Sequence, residues 1–160
     1  WDSCITVENG CNIMNIPYER ENDCIKTESL IPNEGIMRIT ALKSCRAGFR
    51  LYAWQTDRVT YKVNGQPIKP AVENGIAYTE LNEGDVFELS FVIETIPKTE
   101  QLRGENGIVY WRGCDVVGMS PEGGHIRLYQ RDLDKPKYYP TPDDVVYTGA
   151  ANYGPTQQKQ

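Results

Sequence analysis

Apolar and polar residues alternate with a period of two along most of the chain, and no window of a dozen residues carries apolar positions at helical spacing. The pattern predicts an all-β protein. Met37-Arg38-Ile39-Thr40-Ala41 alternates. So does Phe49 to Trp54, which places Phe49, Leu51 and Ala53 on one strand face and Arg50, Tyr52 and Trp54 on the other. Val59 to Val63 runs into Asn64-Gly65, a type I′ hairpin signal because both residues tolerate positive φ, with a returning strand near Gln66 to Lys69. Ile76 to Glu80 forms a further strand, closed by the turn Asn82-Glu83-Gly84-Asp85. Val86 to Ile93 follows, with Phe87, Leu89, Phe91 and Ile93 inward and Glu88 and Ser90 outward.

Pro97 is expected to end that run, and the charged, unpatterned stretch from Lys98 to Asn106 reads as a long loop between sheets. Two strands then flank the turn Gly113-Cys114, Ile108 to Arg112 and Asp115 to Met119, and Ile126 to Arg131 makes the last strand before the tail. Nearer the start, Ile5 to Val7, Ile13 to Ile16 and Cys24 to Leu30 give shorter strands. About ten short, evenly spaced strands indicate an antiparallel β-sandwich, with a jelly roll as one form it can take. The division is a sandwich domain over residues 1–134 and an irregular Pro/Tyr-rich tail over 135–160, in which Val145-Val146-Tyr147 is a candidate edge strand.

Several of these segments, in order, resemble the β-sandwich domain that follows the helical toroid in family 127 glycoside hydrolases of the β-L-arabinofuranosidase type. The matching stretches are Phe49 to Trp54, Val63-Asn64-Gly65, Gly75 to Tyr78, and Gly84-Asp85 leading into the strand up to Phe91. Where the family has a proline ahead of the tryptophan this chain has Ala53, and the methionine-rich end of the long strand is missing. The resemblance covers about residues 24 to 93. Val109 to Gly113, with Asp115-Val116-Val117 and Leu128 to Arg131, looks like a tail module of some large sugar-degrading proteins. The resemblance implies an accessory domain; the family's catalytic acids and metal ligands belong to the toroid, so no catalytic residue, metal ligand or cofactor transfers to this chain.

Composition narrows the partners. The chain has 160 residues, enough to bury roughly 70% of the surface its unfolded form exposes, so a core needs no metal or disulfide. Seventeen Lys+Arg against 22 Asp+Glu give a net charge of −5, which disfavours a surface that tracks nucleic-acid phosphates. No run reaches the length of about 18 to 20 apolar residues that a membrane-spanning helix requires. The start, Trp1-Asp2-Ser3, carries neither an initiator methionine nor the pattern of a signal peptide, and the expectation is a piece of a longer chain with a catalytic domain upstream.

Cys4, Cys11, Cys24, Cys45 and Cys114 lack the paired spacings of a zinc site, and His125 lies in a glycine-rich turn eleven positions past Cys114. They read as buried, inert thiols, with bridges Cys4–Cys11 or Cys24–Cys45 as the alternative. Free thiols favour a reducing compartment, and the compartment itself stays open.

Ten tyrosines and three tryptophans beside three phenylalanines suit sugar platforms, because the C–H face of a pyranose packs on a flat π system while polar neighbours bond its hydroxyls. They suit half-buried pleated surfaces equally. The candidate carbohydrate-binding residues are Arg50, Tyr52 and Trp54 on one strand, then Tyr110 with Arg112 and Tyr129 with Arg131, where an arginine two positions on could bond a hydroxyl or a uronate. The competing reading makes the same residues a domain interface. Trp111 is expected in the core, and Tyr138, Tyr139, Asp143 and Asp144 in a solvated turn. No pair of the many acids is singled out for glycoside hydrolysis. The expected partners are a polysaccharide or oligosaccharide, an upstream catalytic domain, or both; the alternatives are a free-standing binding module and a small glycoside hydrolase with an unrecognised carboxylate pair.

Overall fold

A computed structural model of the chain describes residues 3–55, 58–102, 104–121 and 131–134. These form fourteen strands and no helix: β1 (Ile5–Glu8), β2 (Cys11–Met14), β3 (Arg20–Glu21), β4 (Ile25–Ser29), β5 (Ile36–Ala41), β6 (Cys45–Arg50), β7 (Thr60–Val63), β8 (Gln66–Pro67), β9 (Ala71–Glu73), β10 (Ile76–Leu81), β11 (Val86–Ser90), β12 (Thr95–Leu102), β13 (Glu105–Arg112) and β14 (Asp115–Ser120). They build a five-stranded sheet in the order β1-β2-β6-β10-β9, a six-stranded sheet β3-β4-β5-β11-β7-β8, and a three-stranded sheet β12-β13-β14. Every pairing is antiparallel except β2 with β6. The expected all-β, sandwich-like fold is therefore present.

The two larger sheets share one core. Met14, Ala47, Phe49 and Leu81 come from the five-stranded sheet, and Ile25, Met37, Ile39, Ala41, Phe87, Leu89 and Phe91 from the six-stranded sheet or its continuation. Alternation puts them there: along β4, β5 and β11 every second residue is buried, as a sheet with one dry face requires. Phe49 and Phe87, both fully buried, meet across the gap with ring centroids 4.8 Å apart and planes at 51°. Each such side chain contributes about 1.5–3 kcal/mol through burial alone.

Two expectations about strand limits are corrected. The strand placed at Phe49 to Trp54 instead spans Cys45–Arg50. Its neighbours dictate this: β2 reaches Phe49 with Met14, β10 begins at Ile76 opposite Arg50, and beyond that only Leu51 N–H finds a ladder partner, the Gly75 carbonyl. The chain then turns, with Gln55 N–H donating to the Tyr52 carbonyl at 3.0 Å, and Ala53, expected inward, is exposed. The early half of β6 was hidden by Gly48, which the close strand approach demands: a Cβ there would lie 2.9 Å from the Ala77 carbonyl oxygen and 2.9 Å from Tyr78 Cβ.

The second correction concerns Lys98 to Asn106, expected as a loop. Thr95–Leu102 is an eight-residue strand paired along its whole length with β13, through a turn in which Gly104 takes φ +88°. Pro97 sits inside this strand, opposite Tyr110, which an edge position permits. From Thr95 to Gln101 every residue is exposed, so no alternation marked the strand in the sequence. The count of about ten strands was low for the same reason, since β3 and β9, which were not expected, are two and three exposed residues long, while β8 falls within the returning strand expected near Gln66 to Lys69. The strand placed at Ile126 to Arg131 and the tail over 135–160 lie outside the described residues, apart from Arg131 itself.

None of the five cysteines is in a disulfide; Cys4 and Cys11 are buried, Cys24 and Cys45 partly so, and Cys114 is exposed in its tight turn, against the expectation of burial.

The solvent face of the six-stranded sheet carries a ladder of alternating charge. Register sets Glu28, Arg38, Glu88 and Lys62 side by side on β4, β5, β11 and β7. Arg38 donates to Glu88 at 2.8 Å and to Glu28 at 3.0 Å, while Lys62 Nζ lies 4.0 Å from Glu88. Hydrogen bonds to Glu88 and then Glu28 raise the Arg38 pKa further. Arg38→Met is expected to cost about 1 kcal/mol, because exposed pairs contribute about 0.2–1 kcal/mol each, and the loss should shrink in high salt when urea unfolding is compared at two ionic strengths.

The Asn64-Gly65 hairpin forms as expected, with φ +51° and +78°. Asn64 Nδ2 donates to Asp85 at 2.7 Å, and Asn82 N–H donates to the same carboxylate at 2.8 Å, so one aspartate joins two turns. The Asn64 bond first, then the Asn82 backbone, hold the Asp85 pKa below its ordinary value. A depressed carboxylate stabilises the fold above its unfolded pKa, and that stability is lost as pH falls through the folded value. The stability difference between wild type and Asp85→Asn should therefore be present at neutral pH and fade below about pH 4, as followed by thermal unfolding across pH.

Candidate functional site

Tyr52 and Trp54, expected to share a strand face, do come together, but in the turn after β6. Their rings stack at 5.1 Å with planes 10° apart. The turn achieves this because Gln55 folds back: its Oε1 accepts from Tyr52 N–H at 2.8 Å. Trp54 also leans on Phe91, with centroids 5.6 Å apart, and so is anchored to the core by one edge. Gly113, at φ +61°, brings the β13–β14 turn against it; a Cβ there would lie 3.1 Å from Ile31 Cγ2 and 3.3 Å from Trp54 Cζ3. Tyr52 is partly buried, and desolvation raises its hydroxyl pKa.

Beside Trp54 lies a cleft of about 350 Å³ between the sandwich and the three-stranded sheet, lined also by Gln55, Ile93, Glu94 and Ile96. Ile96 is 40% exposed, an apolar side chain held in solvent at the mouth. Gln55 Nε2 is buried and has no hydrogen-bond partner among the described residues. A flat aromatic surface, an unpartnered amide donor and the Glu94 carboxylate as acceptor are what a hydroxyl-rich ring needs. Gln55 and Glu94 were not identified from the sequence. Gln55 lies one position beyond Trp54 and signals nothing by itself, and Glu94 is one acid among many.

The arginines lie elsewhere. Arg50 Nε donates to Asn15 at 2.7 Å and its terminal nitrogen to Glu8 at 3.1 Å, on the outer face of the five-stranded sheet. Arg112 reaches across to the 31–34 turn, donating to the Pro32 carbonyl at 2.9 Å, the Asn33 carbonyl at 3.2 Å and Thr95 Oγ1 at 3.3 Å. Arg131 donates to Asn33 Oδ1 at 3.3 Å, and Asn33 Nδ2 to the Leu133 carbonyl at 2.9 Å. Arg112 and Arg131 are thus gathered on one turn, with these bonds made inside the protein. Tyr110 is partly buried on β13 opposite Pro97; Tyr129 lies outside the described residues, as do His125, Tyr138, Tyr139, Asp143 and Asp144. Trp111, expected in the core, is only partly buried, with Lys98 Nζ 5.7 Å from its ring centroid.

No protein-family model matches the sequence, and no curated protein matches it. Solved structures do. A protein described as a glycoside hydrolase is 27% identical, with a TM-score of 0.43 over 57% of this chain and 17% of its own. A GH127 β-L-arabinofuranosidase from Geobacillus stearothermophilus T6 is 16% identical, with a TM-score of 0.49 over 72% of this chain and 21% of its own. The GH127 β-arabinofuranosidase BT3674 is 20% identical, with a TM-score of 0.47 over 70% of this chain and 23% of its own. Two of these are GH127 proteins, the family that residues 24 to 93 resemble. The chain spans only 17 to 23% of the length of these proteins.

Truncating Arg112 to alanine removes three hydrogen bonds made by a charged donor and leaves two carbonyls of the 31–34 turn without them. Urea unfolding should show a loss of about 2–3 kcal/mol. Arg112→Lys should recover less than half of that, because an ammonium cannot span two carbonyls and a hydroxyl as a planar guanidinium does.

Proposed function

We propose that this chain is a non-catalytic accessory β-sandwich domain of a carbohydrate-active protein. It packs against a catalytic domain elsewhere in the parent protein and contacts glycan through the Trp54 cleft. The observation that carries the reading is the indole of Trp54 bordering a cleft of about 350 Å³ whose buried Gln55 amide nitrogen has no partner among the described residues. Support also comes from the resemblance of residues 24 to 93 to the sandwich domain of family 127 glycoside hydrolases.

The chemistry is recognition. The Tyr52–Trp54 stack holds the indole plane rigid, so a sugar ring loses little to ordering the protein when it docks. Gln55 then donates to a hydroxyl and Glu94 accepts from one, which sets ring orientation.

Tryptophan fluorescence titration with soluble polysaccharides, pectic and arabinose-rich ones included, tests this. Binding should fall about tenfold in Gln55→Glu, which keeps the acceptor for Tyr52 N–H and removes the donor into the cleft. It should fall further in Trp54→Phe, and stay unchanged in Arg112→Lys. Absence of binding by the wild-type chain, or equal binding by Gln55→Glu and Trp54→Phe, would refute the glycan contact.

A further inference from the structure

The outer face of the five-stranded sheet holds a second hollow, on the opposite side of the fold's core from β5 and β11. Cys11, Ile13 and Ile76 point away from the main core yet are 6%, 1% and 9% exposed, forming a small apolar cluster of their own with Tyr78 packed against it. Something covers them, and that cover is polar: a cavity of about 100 Å³ lies over this floor, bordered by Arg46, Tyr78 and two hairpin tips.

Those tips are the same tetrapeptide. Val7-Glu8-Asn9-Gly10 turns β1 into β2 at one edge of the sheet, and Val72-Glu73-Asn74-Gly75 turns β9 into β10 at the other. Asn9 and Asn74 share φ +51°, and the glycines that follow sit at +76° and +74°. Both Glu-Asn pairs border the one cavity.

The charges tell what such a site takes. Glu8 is paired with Arg50 at 3.1 Å, and Arg46 Nε lies 3.8 Å from Glu80. Glu73, the neighbouring carboxylate, raises the pKa of the Tyr78 hydroxyl. Three carboxylates against two guanidinium groups give no excess positive charge to attract an anion. The Arg46 guanidinium lies 3.7 Å from the centroid of the Tyr78 ring, so that π face is already covered by a cation and is closed both to a second cation and to a stacked sugar. What remains is a ring of hydrogen-bonding groups: two amides that donate and accept, two carboxylates that accept, and Arg46 Nε, buried and without a hydrogen-bond partner among the described residues.

We infer that the paired Glu-Asn hairpin tips and Arg46 form a second carbohydrate site that binds the hydroxyls of a neutral saccharide by hydrogen bonding at its rim. The ligand class rests on the carbohydrate reading proposed above; the location does not depend on the Trp54 cleft.

An ¹⁵N-resolved NMR titration of the full chain tests it, with methyl β-D-galactopyranoside and methyl β-D-xylopyranoside as neutral probes and galacturonate as the anionic one. Saturable shifts at the Asn9, Gly10, Asn74 and Gly75 amides with a neutral glycoside are expected, with galacturonate weaker. The double variant Asn9→Gly, Asn74→Gly keeps both turns, because glycine adopts positive φ freely, and should weaken binding about tenfold with an unchanged melting profile. Glu73→Gln, which leaves both turns intact, should weaken it as well. Silence at all four amides, tighter binding of galacturonate, or wild-type affinity in both variants would overturn the inference. Shifts at the Trp54 indole N–H with silent turns leave the cleft standing and remove this site; shifting turns with a silent indole do the reverse.

Discussion

Phe49 against Phe87 is the contact on which the arrangement turns. It is the meeting of two fully buried rings from the middle strands of two sheets, and it fixes which face of β6 and which face of β11 look inward. With Phe49 inward, a shift of one residue would send Arg46 and Arg50 into the core, at a cost that no pairing could offset. Everything outside follows from that parity: Arg46, Gly48 and Arg50 form a stripe on the outer face, and Glu88 faces Arg38 and Lys62 on the other side of the molecule. The same parity ends β6 at Arg50, where its last neighbour runs out, and frees the chain to turn and stack Tyr52 on Trp54.

How far the sequence can be read depends on whether a strand has one dry face. β4, β5 and β11 alternate because one side of each meets the core, and their positions were legible to within a few residues. β12 has neither side dry over Thr95 to Gln101, so its residues were chosen for solvent and leave no periodic trace. β6 failed differently. Its first half, Cys45-Arg46-Ala47-Gly48, is small or polar because the neighbouring strand lies too close for a Cβ at position 48.

The candidate site shows the same division. Tyr52 and Trp54 stood out by residue type, and they are adjacent in space, although through a turn rather than a shared strand face. Arg112 and Arg131 also stood out, and their bonds go to a turn eighty and more residues earlier, a connection that only the tertiary fold creates. Gln55 and Glu94 become meaningful only once the three-stranded sheet is set beside the sandwich. The repeated Val-Glu-Asn-Gly was not identified from the sequence, and only the strand order β1-β2-β6-β10-β9 shows that the two copies occupy the two edges of one sheet.

In the two larger sheets the outermost strands are only two to four residues long, too short to template another chain. β12 is different: eight residues, extended, with one side of its backbone unpaired by any of the described strands. Pro97 interrupts its row of amide donors, and Lys98 adds a charge that a docking strand would have to meet. A proline that looks like a terminator in the sequence thus serves as a guard, keeping the longest open rim among the described strands from recruiting other copies of the chain into an extended, aggregating sheet.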